Sequence, residues 1–308
     1  MTLKPKNTIM PRHTELTLDA RKYRISVLKR VQAAPQAARL VVVACQPNEL
    51  AEGIAKACVE SIRRFTPEPH ELWVVDNCSP ARHRGWLERA GDLNVICNDT
   101  PPLPPSTARG LRGLFRRPRR QENGSYANGI ALEIAARVID PATERLMTLH
   151  MDTMACRSGW LSYLLAELDE KVRVAGVRRD TARGEVIHCL GMVFDFTLFR
   201  PLALTFLPEL PKHDVGDKIS LRLREAGYEL RACRNTHTDP SLADMIPEGS
   251  PFRHVPVDRA FDDDGHVIFA HLGRGVVKSE DDTSHPGKFS ARDWLAFAEA
   301  YLGKRLYE

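Results

Sequence analysis

The chain has 308 residues, 43% of them hydrophobic and 27% charged, a globular composition with enough length for one large α/β domain with appendages, and one main domain is expected. Its net charge of +4 is mild and gathers in one arginine-rich segment, so it suits an anionic small ligand or an acidic surface and does not demand nucleic acid. No apolar run reaches the roughly 20 residues that cross a bilayer, and the N-terminal stretch lacks the apolar core of a signal peptide, so a cytoplasmic protein, at most resting on a membrane surface, is expected.

Seven cysteines, odd in number and without a Cys-x-x-Cys pair, suggest neither a disulfide framework nor a zinc ribbon and fit a reducing compartment. In chain order, residues 1–38 are polar and read as an N-terminal extension with one short helix. "LVVVAC" (40–45) is a β-branched run of buried-strand type, and Glu49 to Phe65 carries apolar residues at helical spacing. "ELWVVDNCSP" (71–80) is a second strand with its turn, and "LNVICN" (93–98) a third. Buried strands joined by helices predict a layered α/β sheet whose ligand sites collect at the carboxyl ends of the strands. "DTPPLPPSTARGLRGLFRRPRRQENG" is too rich in Pro and Arg for a regular element and reads as a lid over that edge. "SYANGIALEIAARVI" is a helix that delivers the chain into the strand "LMTLHMDT". "RVAGV", "VIHCLGMVFDF" and "ALTFL" read as strands, "DVGDKISLRLREAG" as a helix opened by Asp214 and closed at Gly227, and "YELRAC" as a strand. Residues 234–265 are turn-rich, "HVIFAHLG" is a last strand ending at His271, and "SARDWLAFAEAYLGKRL" is an amphipathic helix capped by Ser290.

Asp76 ends the second strand beside Asn77 and Ser79. A carboxylate there can accept from a ribose hydroxyl or a base N–H, or can cap its own turn. Neither Gly-x-Gly-x-x-Gly after the first strand nor Gly-x-x-x-x-Gly-Lys-Ser/Thr occurs, so neither the common dinucleotide fold nor a P-loop is supported. Asp152 is a lone carboxylate at the end of an apolar strand. It is satisfied either by a divalent cation that carries phosphate oxygens or as the N-cap of a helix near Gly159 and Trp160. His271 ends another apolar strand, either as a half-buried hydrogen-bonded side chain or, with a carboxylate, as a ligand for Mn²⁺. Asp214 and Asp217, three apart at a helix start, could take a proton from a hydroxyl or cap the helix. Arg109, Arg112, Arg116, Arg117, Arg119 and Arg120 could clamp phosphates, lean on anionic lipid or form a solvated loop.

In order, "LVVVACQPN" with Pro47 and Asn48 before a helix, "ELWVVDNCSP", "GSYANGIALEIAA", "LMTLHMDT", "DVGDKISLRLREAGYEL" and "FAHLG" resemble the family 2 glycosyltransferases, over about residues 39–275. The resemblance implies an α/β fold, a GT-A-like layered α/β/α sheet with a Rossmann-like nucleotide-binding half, preceded by the 1–38 extension and followed by a C-terminal helical segment over 276–308. It implies that Asp76 contacts the base of a nucleotide-sugar donor, with Pro47, Asn48, Asn77 and Asn128 also in the donor site. The family's Asp-x-Asp reads His150-Met151-Asp152 here, so only Asp152 carries over as the residue for Mn²⁺ or Mg²⁺ and the donor diphosphate. His271 matches a metal-binding histidine after the last strand. The base falls on Asp214 first and Asp217 second, because the usual Glu-Asp pair is missing ahead of Gly227-Tyr228.

The implied reaction is inverting, metal-assisted transfer of a sugar to a saccharide or lipid-linked acceptor, in bacterial-type polysaccharide or glycoconjugate synthesis. It would run in the cytoplasm or at the inner membrane face, with peripheral contact to anionic lipid and no nucleic acid. Three other readings stay open. A nucleotide-sugar-forming nucleotidyltransferase usually shows a glycine-rich basic first loop, unlike "CQPNELAEG". A non-catalytic scaffold is compatible with the altered Asp-x-Asp, and a nucleic-acid-binding protein would use the arginine loop in a salt-sensitive way.

Overall fold

The computed structural model describes residues 10–103, 120–280 and 289–307. The expected lid, with Arg109, Arg112, Arg116, Arg117 and Arg119, lies outside the described residues, and Arg120 is the first residue of a helix.

The chain opens with an antiparallel hairpin, β1 (Arg12–Leu18) and β2 (Arg21–Leu28). Strands and helices then alternate as β3 (Ala38–Ala44), α1 (Glu49–Phe65), β4 (His70–Asn77), α2 (Ala81–Arg89) and β5 (Asn94–Asn98). A long helix, α3 (Arg120–Val138), leads into β6 (Arg145–His150), β7 (Thr153–Ala155), α4 (Trp160–Ala166) and β8 (Val172–Gly176). Next come β9 (Arg179–Asp180), β10 (Val186–Ile187), β11 (Gly191–Asp195), α5 (Asp217–Glu225), β12 (Glu229–Ala232) and β13 (Arg234–Asn235). The last elements are β14 (Asp258–Phe261), β15 (Val267–His271), α6 (Gly275–Glu280) and α7 (Ala291–Leu302).

Nine strands form one sheet in the order β1-β2-β5-β4-β3-β6-β11-β8-β12. β5, β4, β3 and β6 run parallel and β12 is parallel to β8, whereas β11 is antiparallel to both its neighbours. This is the expected layered α/β/α sheet with a parallel half of Rossmann type. A second sheet, β13-β14-β15-β7, takes up the chain at β7 after two intervening residues, Met151 and Asp152, beyond the end of β6.

Every residue of β3 is buried, which explains why its sequence is an unbroken apolar run and not an alternation. Leu40, Val42 and Ala44 join one core with Ile54, Cys58 and Ile62 of α1 and with Trp294 and Leu295 of α7. Val41 and Val43 join the opposite core with Ile130, Ile134 and Ala135 of α3. The side chain of Asn48 caps α1 by accepting from Ala51 N at 3.0 Å, and Ser290 and Asp293 form a reciprocal capping box on α7.

Four expectations change. Where one short helix was expected within 1–38, the described residues 10–38 form the β1–β2 hairpin and no helix. Asp19 and Ala20 take φ of 47° and 60°, a two-residue left-handed turn that suits a tight hairpin, and β2 extends the sheet antiparallel to β5. β2 buries Tyr23 and Ile25 at period two while Lys22 and Arg24 stay in water, so strand geometry serves it better than a helix. "ALTFL" is a loop instead of a strand, with Leu204 and Phe206 buried: Glu133 of α3 accepts from Phe206 N and from Thr205 Oγ1, each at 2.6 Å, replacing the ladder partner. α5 starts at Asp217, not Asp214, behind Gly216 with φ of 79°. The turn-rich 234–265 stretch contains β13 and β14. Among the described residues no helix is long and apolar enough to cross a membrane.

At the amino ends of β3 and β4 a buried network fixes the connection from the hairpin. Glu71 accepts from Ala33 N at 2.8 Å, Trp73 Nε1 at 2.7 Å and Asn94 Nδ2 at 3.3 Å, and lies 3.2 Å from the buried Arg39 guanidinium. Glu71→Ala leaves Arg39 charged and buried without its carboxylate, and the unfolding free energy in urea is expected to drop by about 3 kcal/mol. A loss below about 1 kcal/mol would mean that this network does not anchor the sheet.

Candidate active site

The parallel ladder sets the carboxyl ends of three strands side by side, with Asp76 opposite Ala44 and His150 opposite Val43. After His150 the chain turns through Met151 and Asp152 and re-enters as β7, where Thr153 pairs with His271. That turn explains how an apolar strand can finish on a carboxylate. Asp152 is buried, yet its Oδ2 accepts from Gly275 N at 2.8 Å, its Oδ1 lies 3.6 Å from His271 Nε2, and its backbone carbonyl accepts from Leu272 N at 3.0 Å. Position 275 has to be glycine here, because a Cβ would lie 2.6 Å from that of Asp152. The helix at Trp160 is preceded by Gly159 in the left-handed region, so Asp152 does not cap it.

His150, Asp152 and His271 thus converge, each offering a ligand atom within 4.8 Å of the others, and they could hold a metal ion. Both rings have an orienting partner. His271 Nδ1 lies 3.4 Å from Asp258 Oδ2, and Asp258 in turn lies 3.6 Å from Arg178 and 3.7 Å from His237. His150 Nε2 lies 2.8 Å from Asn128 Nδ2 of α3. Burial pushes the Asp152 carboxyl up, but His271, His150 and the Gly275 N–H outweigh it and hold the group below its ordinary value. Burial pushes the His150 imidazole down to about 4 against the pull of Asp152. A neutral imidazole beside an ionised carboxylate is the protonation state that a divalent ion needs.

His150 also belongs to a second grouping with His188 and Cys189. That grouping is the poorer ligand set. His188 Nδ1 accepts from Leu190 N at 3.2 Å, and burial drives the Cys189 thiol well above its ordinary range, away from the thiolate a metal requires.

The remaining expected residues are placed as follows. Asp76 is fully buried, accepting from Gln46 Nε2 and Ser79 N at 3.3 Å each, with Arg84 at 3.7 Å; burial pushes its carboxyl above its ordinary value despite these partners. Asn77 donates to Ala127 O at 2.9 Å and accepts from Asn98 Nδ2 at 2.8 Å. Asn48 is engaged as the α1 cap and donates to Ser279 O at 3.1 Å, and Pro47 is half-buried in the preceding loop. Asp217 is buried and its Oδ2 accepts from Asp214 N at 2.8 Å, while Asp214 is half-exposed and pairs with Arg183 at 2.9 Å. A Cβ on Gly216 would lie 3.0 Å from that of Cys189, whose Sγ is 3.4 Å from His150 Nε2, so the Asp214 turn borders the His150 cluster. The residues that sequence did not point to are His150 as a ligand, Asp258 and Arg178 behind His271, and Arg183 beside Asp214.

No family model matches the sequence, and no curated protein matches it either. Among solved structures, the chain is similar to mannosyltransferase PcManGT from Pyrobaculum calidifontis in complex with GDP-Man and Mn²⁺, at 16% identity over 89% of this chain and 76% of that one, with a TM-score of 0.42. It is similar to galactosyltransferase LgtC in complex with donor and acceptor sugar analogs, at 12% identity over 85% of this chain and 95% of that one, with a TM-score of 0.49. A third is glycosyltransferase GlyE of Streptococcus pneumoniae TIGR4, at 10% identity over 87% of this chain and 62% of that one, with a TM-score of 0.46. All three are glycosyltransferases, at identities so low that the chemistry of this chain has to come from its own side chains.

The protonation states yield a test. Unfolded imidazoles take up a proton near pH 6.5, whereas native His150 resists until about 4. The unfolded chain therefore binds more protons than the native one within that window, so the contribution of His150 to stability is full above about pH 6.5 and falls as pH drops toward 4. With metal chelated, wild type is expected to lose about 2 kcal/mol more between pH 7 and 4.5 than His150→Asn, read by urea unfolding. Equal losses in the two proteins would mean that the native imidazole protonates freely.

Proposed function

We propose that this chain is a nucleotide-sugar-dependent glycosyltransferase of family 2 type that transfers with inversion to an acceptor hydroxyl. The observation that carries the reading is the convergence of Asp152, His150 and His271 at the carboxyl edge of the parallel half-sheet, beside a turn that presents a half-exposed carboxylate, Asp214. Of the two aspartates Asp214 is the better base because it is half-exposed where Asp217 is buried; each gives one oxygen to the backbone of the turn, Asp217 Oδ2 accepting from Asp214 N at 2.8 Å and Asp214 Oδ1 from Val215 N at 2.7 Å. Asp214 accepts the acceptor's hydroxyl proton once its pairing with Arg183 opens. The hydroxyl oxygen then forms a bond to the anomeric carbon, and the bond from that carbon to the diphosphate breaks on the opposite face, with its electron pair leaving on the nucleoside diphosphate. A divalent ion on Asp152, His150 and His271 would supply positive charge to that leaving group. The acceptor class we favour is a saccharide or lipid-linked hydroxyl of bacterial type.

One observation favours a second reading, a non-catalytic scaffold. Asp76 is closed over by Gln46, Ser79 and Arg84, so contact with a nucleobase requires Gln46 and Arg84 to turn away.

The deciding experiment is thermal stability against UDP-, GDP-, CMP- and dTDP-sugars, each with Mn²⁺, with Mg²⁺ and with a chelator. A native-state ligand at one hundred times its Kd stabilises by about 2.7 kcal/mol, and one nucleotide class is expected to give a metal-dependent shift that Asp152→Asn abolishes. In the matching transfer assay Asp214→Asn is expected to lower kcat by about 10²- to 10⁴-fold with little change in donor KM. A protein that no nucleotide stabilises in any metal condition would be the scaffold.

A further inference from the structure

The end of the small sheet away from His271 borders a cavity of about 540 Å³. Val267 lines it and His271 ends the same strand, so the cavity lies about 13 Å along β15 from the candidate metal cluster. The two share no residue. Leu242, Ile246, Phe252, Phe261 and Tyr301 complete a largely apolar wall with Val267, and the volume falls in the range of roughly 300–1,000 Å³ that holds a small organic ligand. The loop that closes one side is tied down. Arg253 Nη1 donates to Ala243 O at 2.7 Å, and Arg259 Nη1, from β14, donates to Phe252 O at 2.9 Å. The cavity is therefore formed before a ligand arrives, which spares the entropy of ordering the loop on binding.

We propose that this cavity binds a free single-chain amphiphile, an alkyl chain ending in a carboxylate, with the carboxylate held by Arg234. The chain leaves water for the apolar wall, and Met245, 63% exposed at the cavity, is an unbranched side chain that adapts its shape to such a ligand. The charged end follows from the two arginines that line the cavity. Arg157 is already paired with Asp262 at 3.4 Å. Arg234 is exposed and gives Nη2 to Met245 Sδ at 3.5 Å, a weak acceptor. Among the described residues no carboxylate forms an ion pair with Arg234, so its guanidinium is open to bidentate pairing with a ligand carboxylate. A monomer suits the rim better than a bilayer does, because Asp264 is exposed beside the same cavity and would be repelled by an anionic membrane surface.

The test uses the whole chain with a chelator present and no nucleotide, so that the His150 cluster and sugar transfer play no part in it. Decanoate, 1-decanol and decyltrimethylammonium, each below its micelle concentration, are compared by calorimetry. Decanoate is expected to bind at one site, and the cation not to bind measurably. Arg234→Gln is expected to weaken decanoate by about tenfold and to leave 1-decanol unchanged, since only the charged end meets Arg234. Met245→Glu sets a carboxylate against Arg234 and is expected to abolish decanoate binding. Both substitutions are at exposed positions, so the fold is retained. Equal decanoate affinity in wild type and Arg234→Gln would overturn the proposal, as would a cation that binds as tightly as decanoate or a protein that binds none of the three. Capture on phosphatidylglycerol vesicles without binding of monomeric decanoate would also overturn it and make this face a membrane contact.

Discussion

A carboxylate buried at the end of an apolar strand has to be matched by donors or cations, and matching Asp152 dictates how the two sheets of this molecule meet. The main chain of β6 turns within two residues into β7, so the large sheet hands directly over to the small one. The return from β15 then closes on the same residue, with Leu272 N on its carbonyl and Gly275 N on its carboxylate. Without those bonds Asp152 would be an unpaired charge in a low-dielectric interior, a cost of several kcal/mol. The glycine at 275 is part of the same solution, since any side chain there collides with Asp152.

Around that carboxylate the charges alternate. Arg183 lies between Asp180, Asp214 and Asp217, and Arg178 between Asp180 and Asp258. Asp258 leads to His271, and His271 leads back to Asp152. Each link is a short-range pairing of opposite partners, so the network positions side chains more than it accumulates charge of one sign. Its consequence for the candidate base is specific. Arg183 reaches both aspartates, but only Asp214 is open to water, so the same guanidinium orders the turn through Asp217 and guards the carboxylate that could take a proton.

How much of this was legible in the sequence depended on how local the cause was. α1 ran over Glu49–Phe65 as its periodicity indicated, and α7 began behind Ser290, because caps and apolar stripes are written within a few residues. β3 and β4 were legible because burial on both faces leaves an apolar run. The β1–β2 hairpin was hidden by its Asp19-Ala20 turn, which carries no glycine. "ALTFL" failed because its donors are met by Glu133, some 70 residues earlier in the chain. Asp152 and His271 stood out as polar ends of apolar strands. Asp258 did not, and Asn128 was expected in the donor site but not beside His150, because each meets a histidine that only the tertiary fold brings near.

His150 was in view as a departure from an Asp-x-Asp pattern, and the structure gives the departure a physical consequence. With an aspartate at that position a divalent ion would be neutralised by two carboxylates. With a neutral imidazole, Asp152 supplies a single negative charge, and a dication held there keeps about one unit of positive charge in a partly buried setting. Coulombic attraction strengthens as the local dielectric falls, so that surplus would act on an anionic ligand more strongly than the same charge on a solvated surface. A histidine at that position would therefore leave a bound dication with more of its charge to offer an anionic ligand, and Asn128 and Asp258, 2.8 Å and 3.4 Å from the two rings, hold the imidazoles in place around Asp152.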